Sequence, residues 1–428
     1  MDRADIAESA IMNKQTRGRC SGLWLGVMAM LAVPAASAAT QEIRALFTPD
    51  PANPHRNEFV NKTPSSGYCE FYPDICRNSN TFSIRLMTRL NSSKPMQANS
   101  GPRNSAMFKV PGNWRSLTVT NKETGDIQRV EVRIAGVGSN YVLSDTAANL
   151  TGAPNAREGH DALWKGAGWL YATPPCQSTG VGFFGSNTYA FFWKTPNATP
   201  CVKVANFLIP GMSYGYLDFA YELRTPNPLG MGSGIYTGNL TYRLGPGGDF
   251  DFGDVMIPND PVLTLDFVLD VQHTLKVDIP PGGDRVQLAP AGGWQSWLQA
   301  GRRPVRLFRD QTFNISASSR FKIQLECEIS GFPYDCMLDD RVSRRAVELR
   351  VSVSLPNGLT DMAGQPVKRR ALRVGPANAQ HFQPGFYVDR APGTLHFEVP
   401  QHQMEFMMRP GVASTYRGSV TVIWDSEI

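Results

Sequence analysis

This sequence lacks the features that would place it in most functional classes. No apolar run reaches the ~20 residues of a membrane-spanning helix; the most apolar segment, Leu23 to Val33, stops well short of that length. No C-x-x-C pair, HExxH string or paired-histidine spacing occurs, so zinc and thioredoxin-type chemistry lose their usual support. Basic residues are scattered, with the tightest cluster at Lys368 to Arg370, whereas a nucleic-acid binder needs a stripe or patch. Helical periodicity is scarce. One short stripe, Trp294, Trp297 and Leu298 closed by Gly301, reads as a turn or two lying on a sheet.

The composition fits short strands joined by turns: 39 glycines and 32 prolines in 428 residues. Alternation is the dominant pattern. Val347, Leu349, Val351, Val353 and Leu355 are separated by Glu348, Arg350, Ser352 and Ser354, and similar alternation recurs at Phe321 to Cys327, Val130 to Ile134 and Leu217 to Leu223. Successive strand side chains point to opposite faces, so each such strand covers a core with one face only, as in antiparallel sandwiches. The sequence therefore predicts an all-β fold.

The first residues read as an address. Lys14, Arg17 and Arg19 precede the apolar run and Ala36-Ser37-Ala38 follows it, the layout of a secretory signal peptide over 1–38, with Met12 a plausible translation start. An exported chain is expected. The formal charge of +5 changes little without the leader, which carries both signs. Cys20 leaves with the leader, and the remaining six cysteines fall as local couples, Cys69 with Cys76, Cys176 with Cys201 and Cys327 with Cys336. In an oxidising compartment they read as three disulfides; several connectivities are open, near-neighbour pairing being the simplest.

Length favours two domains. Tyr236-x-Gly238-x-Leu240-Thr241-Tyr242 is echoed by Tyr416-x-Gly418-x-Val420-Thr421-Val422, and the turn-rich strings at 245–248 and 258–261 lie between them. This predicts a first domain over 39–246, a linker over 247–261 and a second domain over 262–428.

Enzyme-like strings are present but poorly placed. Gly211-Met212-Ser213-Tyr214-Gly215 fits a nucleophile elbow, yet an alternating strand follows where a helix is required. Asp249, Asp251 and Asp254 cluster without EF-hand spacing, and His396 and His402 suit surface or packing roles. Asp218 and Glu222 could serve a β-sandwich glycan hydrolase, but they lie on the polar face of an alternating strand. The aromatic-rich stretch from Trp164 to Trp193 reads mostly as core. Trp164, Trp169 and Tyr171, with Asp161 and Asn187 near them, are candidate receptor contacts, since flat rings offer a platform for a sugar's apolar face. Neither catalytic residues nor a cofactor or metal is expected.

A strongly alternating strand, Tyr416, Gly418, Val420, Val422 and Trp424, runs almost to Ile428. An exposed apolar edge is an aggregation hazard unless something covers it. This string, with the run from His273 through Gly292-Gly293-Trp294-Gln295 to Phe321–Cys327, resembles two-domain tip adhesins of chaperone-usher fimbriae, in particular Cup-type adhesin-like subunits. The resemblance spans nearly the whole chain after the leader and is strongest from about 215 onward. It implies two β-sandwich domains, the C-terminal one an incomplete immunoglobulin-like pilin domain whose missing strand is lent by a periplasmic chaperone and then by the adjacent subunit. It further implies an outer-membrane usher as partner, a host or surface glycan or protein as receptor, and a place at the fimbrial tip on the cell surface. A structural minor subunit without a receptor is the near alternative.

Overall fold

The computed structural model describes residues 39–301, 303–409 and 414–427. The expected signal peptide, with Cys20, lies outside the described residues. No described helix is long and apolar enough to cross a membrane.

The first half is a 13-stranded curled sheet that folds over one large core. Its strands include β1 (Ala39–Phe47), β2 (Phe82–Leu86), β3 (Leu90–Ser92), β4 (Arg115–Asn121), β5 (Ile127–Leu143), β6 (Gln177–Phe184), β7 (Thr188–Lys194), β8 (Met212–Tyr214), β9 (Leu217–Arg224), β10 (Gly234–Arg243), β11 (Met256–Pro258) and β12 (Val262–Val271). The 17-residue β5 is the hub. Its start pairs with β4, its middle with β9 and β7, and its end with β8. Helix α1 (Ala156–Leu163) crosses between β5 and β6, and Asn155 caps it by accepting from the Glu158 amide at 3.0 Å.

The second half is a sandwich of two sheets. One, of seven strands, runs β13 (Leu275–Asp278), β14 (Leu307–Ala317), β21 (Val388–Val399), β17 (Arg345–Ser354), β16 (Asp335–Asp340) and a short edge, with β19 (Arg370–Leu372) also on β17. The other, of four strands, runs β18 (Leu359–Asp361), β20 (Gln380–Pro384), β15 (Phe321–Cys327) and β22 (Val420–Ser426). Phe313, Ile315, Phe321, Ile323, Leu325, Val351, Val353 and Phe382 fill the core between them. Two further helices, α2 (Gly293–Ala300) and α3 (Gln401–Met407), flank this sandwich. The alternation read along Val347 to Val353 and Phe321 to Leu325 therefore marks inward faces, as each odd-numbered residue in these runs is buried.

The expected linker needs correction. Phe250, Phe252, Val255 and Met256, inside 247–261, are wholly buried in the first core, and β12 lies between β1 and β10 in the first sheet. The turn signals are real, but they belong to loops that fold back onto the first core. Hydrophobic burial passes from the first core to the second across Gln272-His273-Thr274. His273 holds this crossing: Nε2 donates to the Met231 carbonyl at 3.0 Å, and Nδ1 lies 3.1 Å from Ser318 Oγ.

The cysteines pair as near neighbours, Cys69–Cys76, Cys176–Cys201 and Cys327–Cys336.

Candidate functional site

The second sandwich is open along one side. β22 pairs with β15 over Phe321↔Ser426 to Cys327↔Val420, and it has no strand on its other edge among the described residues. β13 is likewise the edge of the facing sheet. Between these two edges runs a groove of about 1260 Å³ that reaches the core. Its floor is Leu307, Phe313, Leu349, Leu395, Phe397 and Val399. One wall is β22, where Val420, Val422 and Trp424 face inward yet are only half-buried. The opposite wall carries Val277, Ile279, Val286 and Leu288, and Met404, Met407 and Met408 close the end where β22 begins. An open strand edge presents a row of unpaired amides and carbonyls beside apolar pockets, which is the chemistry of strand addition.

All five residues of the alternating string line this groove: Tyr416, Gly418, Val420, Val422 and Trp424. Regular pairing begins only at Val420, so the strand is shorter than the sequence pattern suggests. Upstream, Arg417 makes an isolated two-hydrogen-bond bridge with Asp339, at 2.8 and 2.9 Å. Gly418 suits this close approach, since a Cβ there would stand 3.0 Å from Leu338 Cδ2. Trp424 anchors the far end, its ring 4.9 Å from that of Phe313. The methionine end was missed by sequence reasoning; the run Met404, Met407, Met408 was the available signal, as flexible thioethers line adaptable binding surfaces.

The candidate receptor contacts in the first half separate. Trp164 and Trp169 are 1% and 0% exposed, so the expectation that they meet a ligand is corrected: both are core. Trp169 packs against Trp193, Trp164 and Phe191 at ring separations of 5.1, 5.1 and 4.5 Å. Trp164 Nε1 donates to the Tyr141 hydroxyl, which also bonds His160 Nδ1 at 2.7 Å. The aromatic density had already suggested core, and burial of these two rings extends that reading to them. Asp161 accepts from the Gly168 amide and Asn187 donates to the Leu143 carbonyl, each fixing a loop. Tyr171 alone of the set is a broadly exposed ring, and Phe183 and Phe184 on β6 are exposed as well. Among the described residues β6 pairs only with β7.

Lys203, which sequence reasoning passed over, is 1% exposed. Its Nζ donates to the carbonyls of Gly166, Ala167 and Gly168 at 3.4, 3.0 and 3.2 Å. Burial lowers its pKa to about 8, against the opposing pull of Asp161.

The enzyme-like groups are occupied elsewhere. Ser213 sits in a three-residue strand paired on both sides, not on a strand-to-helix elbow. Asp218 is gripped by Arg85 through two 2.7 Å bonds, and Glu222 accepts from Arg133 at 2.9 Å. Arg103 pairs with both Asp251 and Asp254, and Arg115 with Asp249. His396 lies 2.7 Å from Asp310 and 2.8 Å from Ser354 Oγ, which also accepts the Arg369 amide. That serine–histidine–carboxylate row ties three neighbouring strands on the face turned away from the groove. Among the described residues no three histidines, cysteines or carboxylates converge in a way that could hold a metal ion.

No family model matches this chain, and no curated protein matches it by sequence. Solved structures with a similar course do exist. A chaperone–tip adhesin complex of CFA/I fimbriae is 12% identical, with 92% of this chain and 97% of that chain covered and a TM-score of 0.24. CfaE, the adhesive subunit of CFA/I fimbria of enterotoxigenic Escherichia coli, is 10% identical over 91% and 95%, with a TM-score of 0.26. The CsuC–CsuE chaperone–tip adhesion subunit complex of Acinetobacter baumannii is 9% identical over 91% and 99%, with a TM-score of 0.22.

Proposed function

We propose that this protein is a fimbrial tip adhesin assembled by the chaperone-usher route, its second half completed by a strand from another polypeptide. The observation that carries the reading is the groove between β13 and β22: apolar along its floor, bounded by two strand edges and open into the core. A strand laid along β22 would satisfy that edge's backbone and seat every second side chain on Val277, Phe313, Leu395 and the methionines. A periplasmic chaperone fills this role before assembly and the adjacent subunit fills it in the fibre, with an outer-membrane usher presiding over the exchange.

The mechanism is binding, with no bond made or broken. The first half, with its closed core, takes the receptor-binding role, and the exposed Tyr171, Phe183 and Phe184 beside the free edge of β6 are its candidate contacts.

The test is completion from outside. The chain lacking its leader is titrated with a blocked peptide of about ten residues, apolar at alternate positions, long enough to span the groove. One-to-one binding is expected, with thermal stabilisation worth about 2.7 kcal/mol at a hundredfold excess over Kd. A chain whose unfolding ignores such peptides, and which forms no one-to-one complex with a co-expressed periplasmic chaperone, overturns the reading.

A further inference from the structure

We propose that the strand accepted by this groove carries opposite charges at its two ends, a carboxylate lying against Arg409 and Arg417 and a basic side chain lying against Asp284. This rests on the strand-completion reading and adds the partner's chemistry to it.

Those three are the only charged side chains among the lining residues. Arg306, Arg341, Arg350, Arg369 and Arg373 each pair with a carboxylate, and none of them lines the groove. None of the described carboxylates reaches Arg409 or Arg417, although both border the groove. The Arg409 guanidinium lies 5.9 Å from the Phe406 ring. Asp284 has no described basic partner either.

Their placement is polar along the groove. Arg417 stands three residues before the start of β22, and Arg409 follows the methionines that close that same end. Asp284 belongs to the other end. Its neighbour Gly283 lies against Ile279 and Gln311, two residues along β14 from Phe313, which touches Trp424. From Arg417 to Trp424 an extended chain covers roughly 23 Å, and Asp284 lies about two residues short of the Trp424 level, so the two charged positions are about five residues apart on a bound strand. Between them the lining is apolar or neutral, so the charges set register and polarity while the apolar pockets supply most of the affinity.

Three blocked peptides with one shared alternating apolar core test this by fluorescence anisotropy at low salt. One bears glutamates at one end and lysines at the other, one has glutamines at both, and one has lysines at both. The bipolar peptide is expected to bind about three- to tenfold more tightly than the neutral one, the range for exposed ion pairs. The all-lysine peptide is expected to be weakest, and the differences to shrink in ~1 M salt. In the Arg409→Glu/Arg417→Glu double variant the all-lysine peptide should overtake the bipolar one, while the neutral peptide keeps its affinity and so reports an intact groove. Equal affinities for bipolar and neutral peptides, or an unchanged ranking in the variant, overturn the charge inference and leave strand completion standing. Failure of all three peptides to bind overturns both.

Discussion

Val262–Val271 in the first half and Val420–Ser426 in the second are both alternating strands, and the molecule uses them oppositely. The first lies between two partners, β1 and β10, and its inward residues Leu263, Leu265, Phe267, Leu269 and Val271 are at most 1% exposed. The second has one partner among the described residues, and its inward residues Val420, Val422 and Trp424 stay half-buried above an open groove. Alternation fixes which face of a strand is apolar, whereas a second neighbour decides whether that face is sealed. The first half is a finished core, and the second stays open along the groove beside β22.

The largest effect that would break this contrast is a cavity in the finished core. Trp169→Ala removes a ring packed among Trp164, Phe191, Trp193, Tyr141, Phe108 and Tyr214, and a loss of about 3–5 kcal/mol is expected in urea unfolding. Val422→Ala in the open wall should cost the unpartnered chain less than about 1 kcal/mol, because water already reaches that side chain. Equal costs at the two positions would mean that the second core is as closed as the first.

Next in size is a change that the free chain tolerates and a completed chain does not. The carboxylate of Val422→Asp would sit beside water in the open groove but be buried once a strand covers it. Peptide affinity should fall at least about tenfold while the unfolding midpoint of the free chain moves little. A variant that binds strands normally would show that the occupant does not lie along β22.

Much of this was legible beforehand, for reasons visible in single residues. The inward faces at Phe321 to Leu325 and Val347 to Val353 follow from period-two burial, and the local cysteine couples follow from short separations. The linker was not legible. Gly245 to Gly248 and Pro258 to Pro261 signal turns, and a turn sequence does not say whether the chain leaves a domain or folds back into it; Phe250 and Phe252 are what draw the segment inward. Trp164 and Trp169 failed for a related reason. Ring chemistry suggested a ligand platform but does not report burial: Lys203 reaches across to hold the carbonyls of Gly166 to Gly168, and both rings are sealed in the core. The groove itself depends on what is missing between two edges far apart in sequence, and no local pattern encodes that separation.

Lys203 gives a smaller, pH-dependent way to sharpen the contrast, confined to the finished half. Its folded pKa, about 8, lies below the ordinary 10.5 because burial disfavours the charged form. Between those values the unfolded chain binds more protons, so this group's contribution to stability rises with pH above 8 and is flat below it. Urea unfolding from pH 8 to about 9.5, before tyrosines titrate, should show that rise in the native chain. Lys203→Met should be less stable throughout, with three carbonyls left without their donor, and should lack the slope. The same slope in both proteins would assign it to other groups.

The smallest expected effect lies where the two halves meet. His273 is half-buried between the Met231 carbonyl and Ser318, with its ring 5.5 Å from Phe47, and desolvation lowers its pKa below 6.5, against the opposing effect of the Met231 carbonyl. The folded protein therefore favours neutral imidazole. Above pH 6.5 the junction has its full stability; as pH falls below 6.5 toward the folded value, the unfolded chain takes up protons first and that stability declines. His273→Gln removes the titrating group while keeping a donor for Met231. Comparing unfolding midpoints at pH 7.5 and 5.5, the native chain should lose more on acidification than the variant, by no more than about 1 kcal/mol. Hydrogen exchange should place the difference at 272–275 and 318–319, between the two cores. An acid-induced change spread evenly over β5 or β17 would mean that the two halves respond as one body, and the distinction between a finished and an unfinished half would then have no energetic boundary at His273.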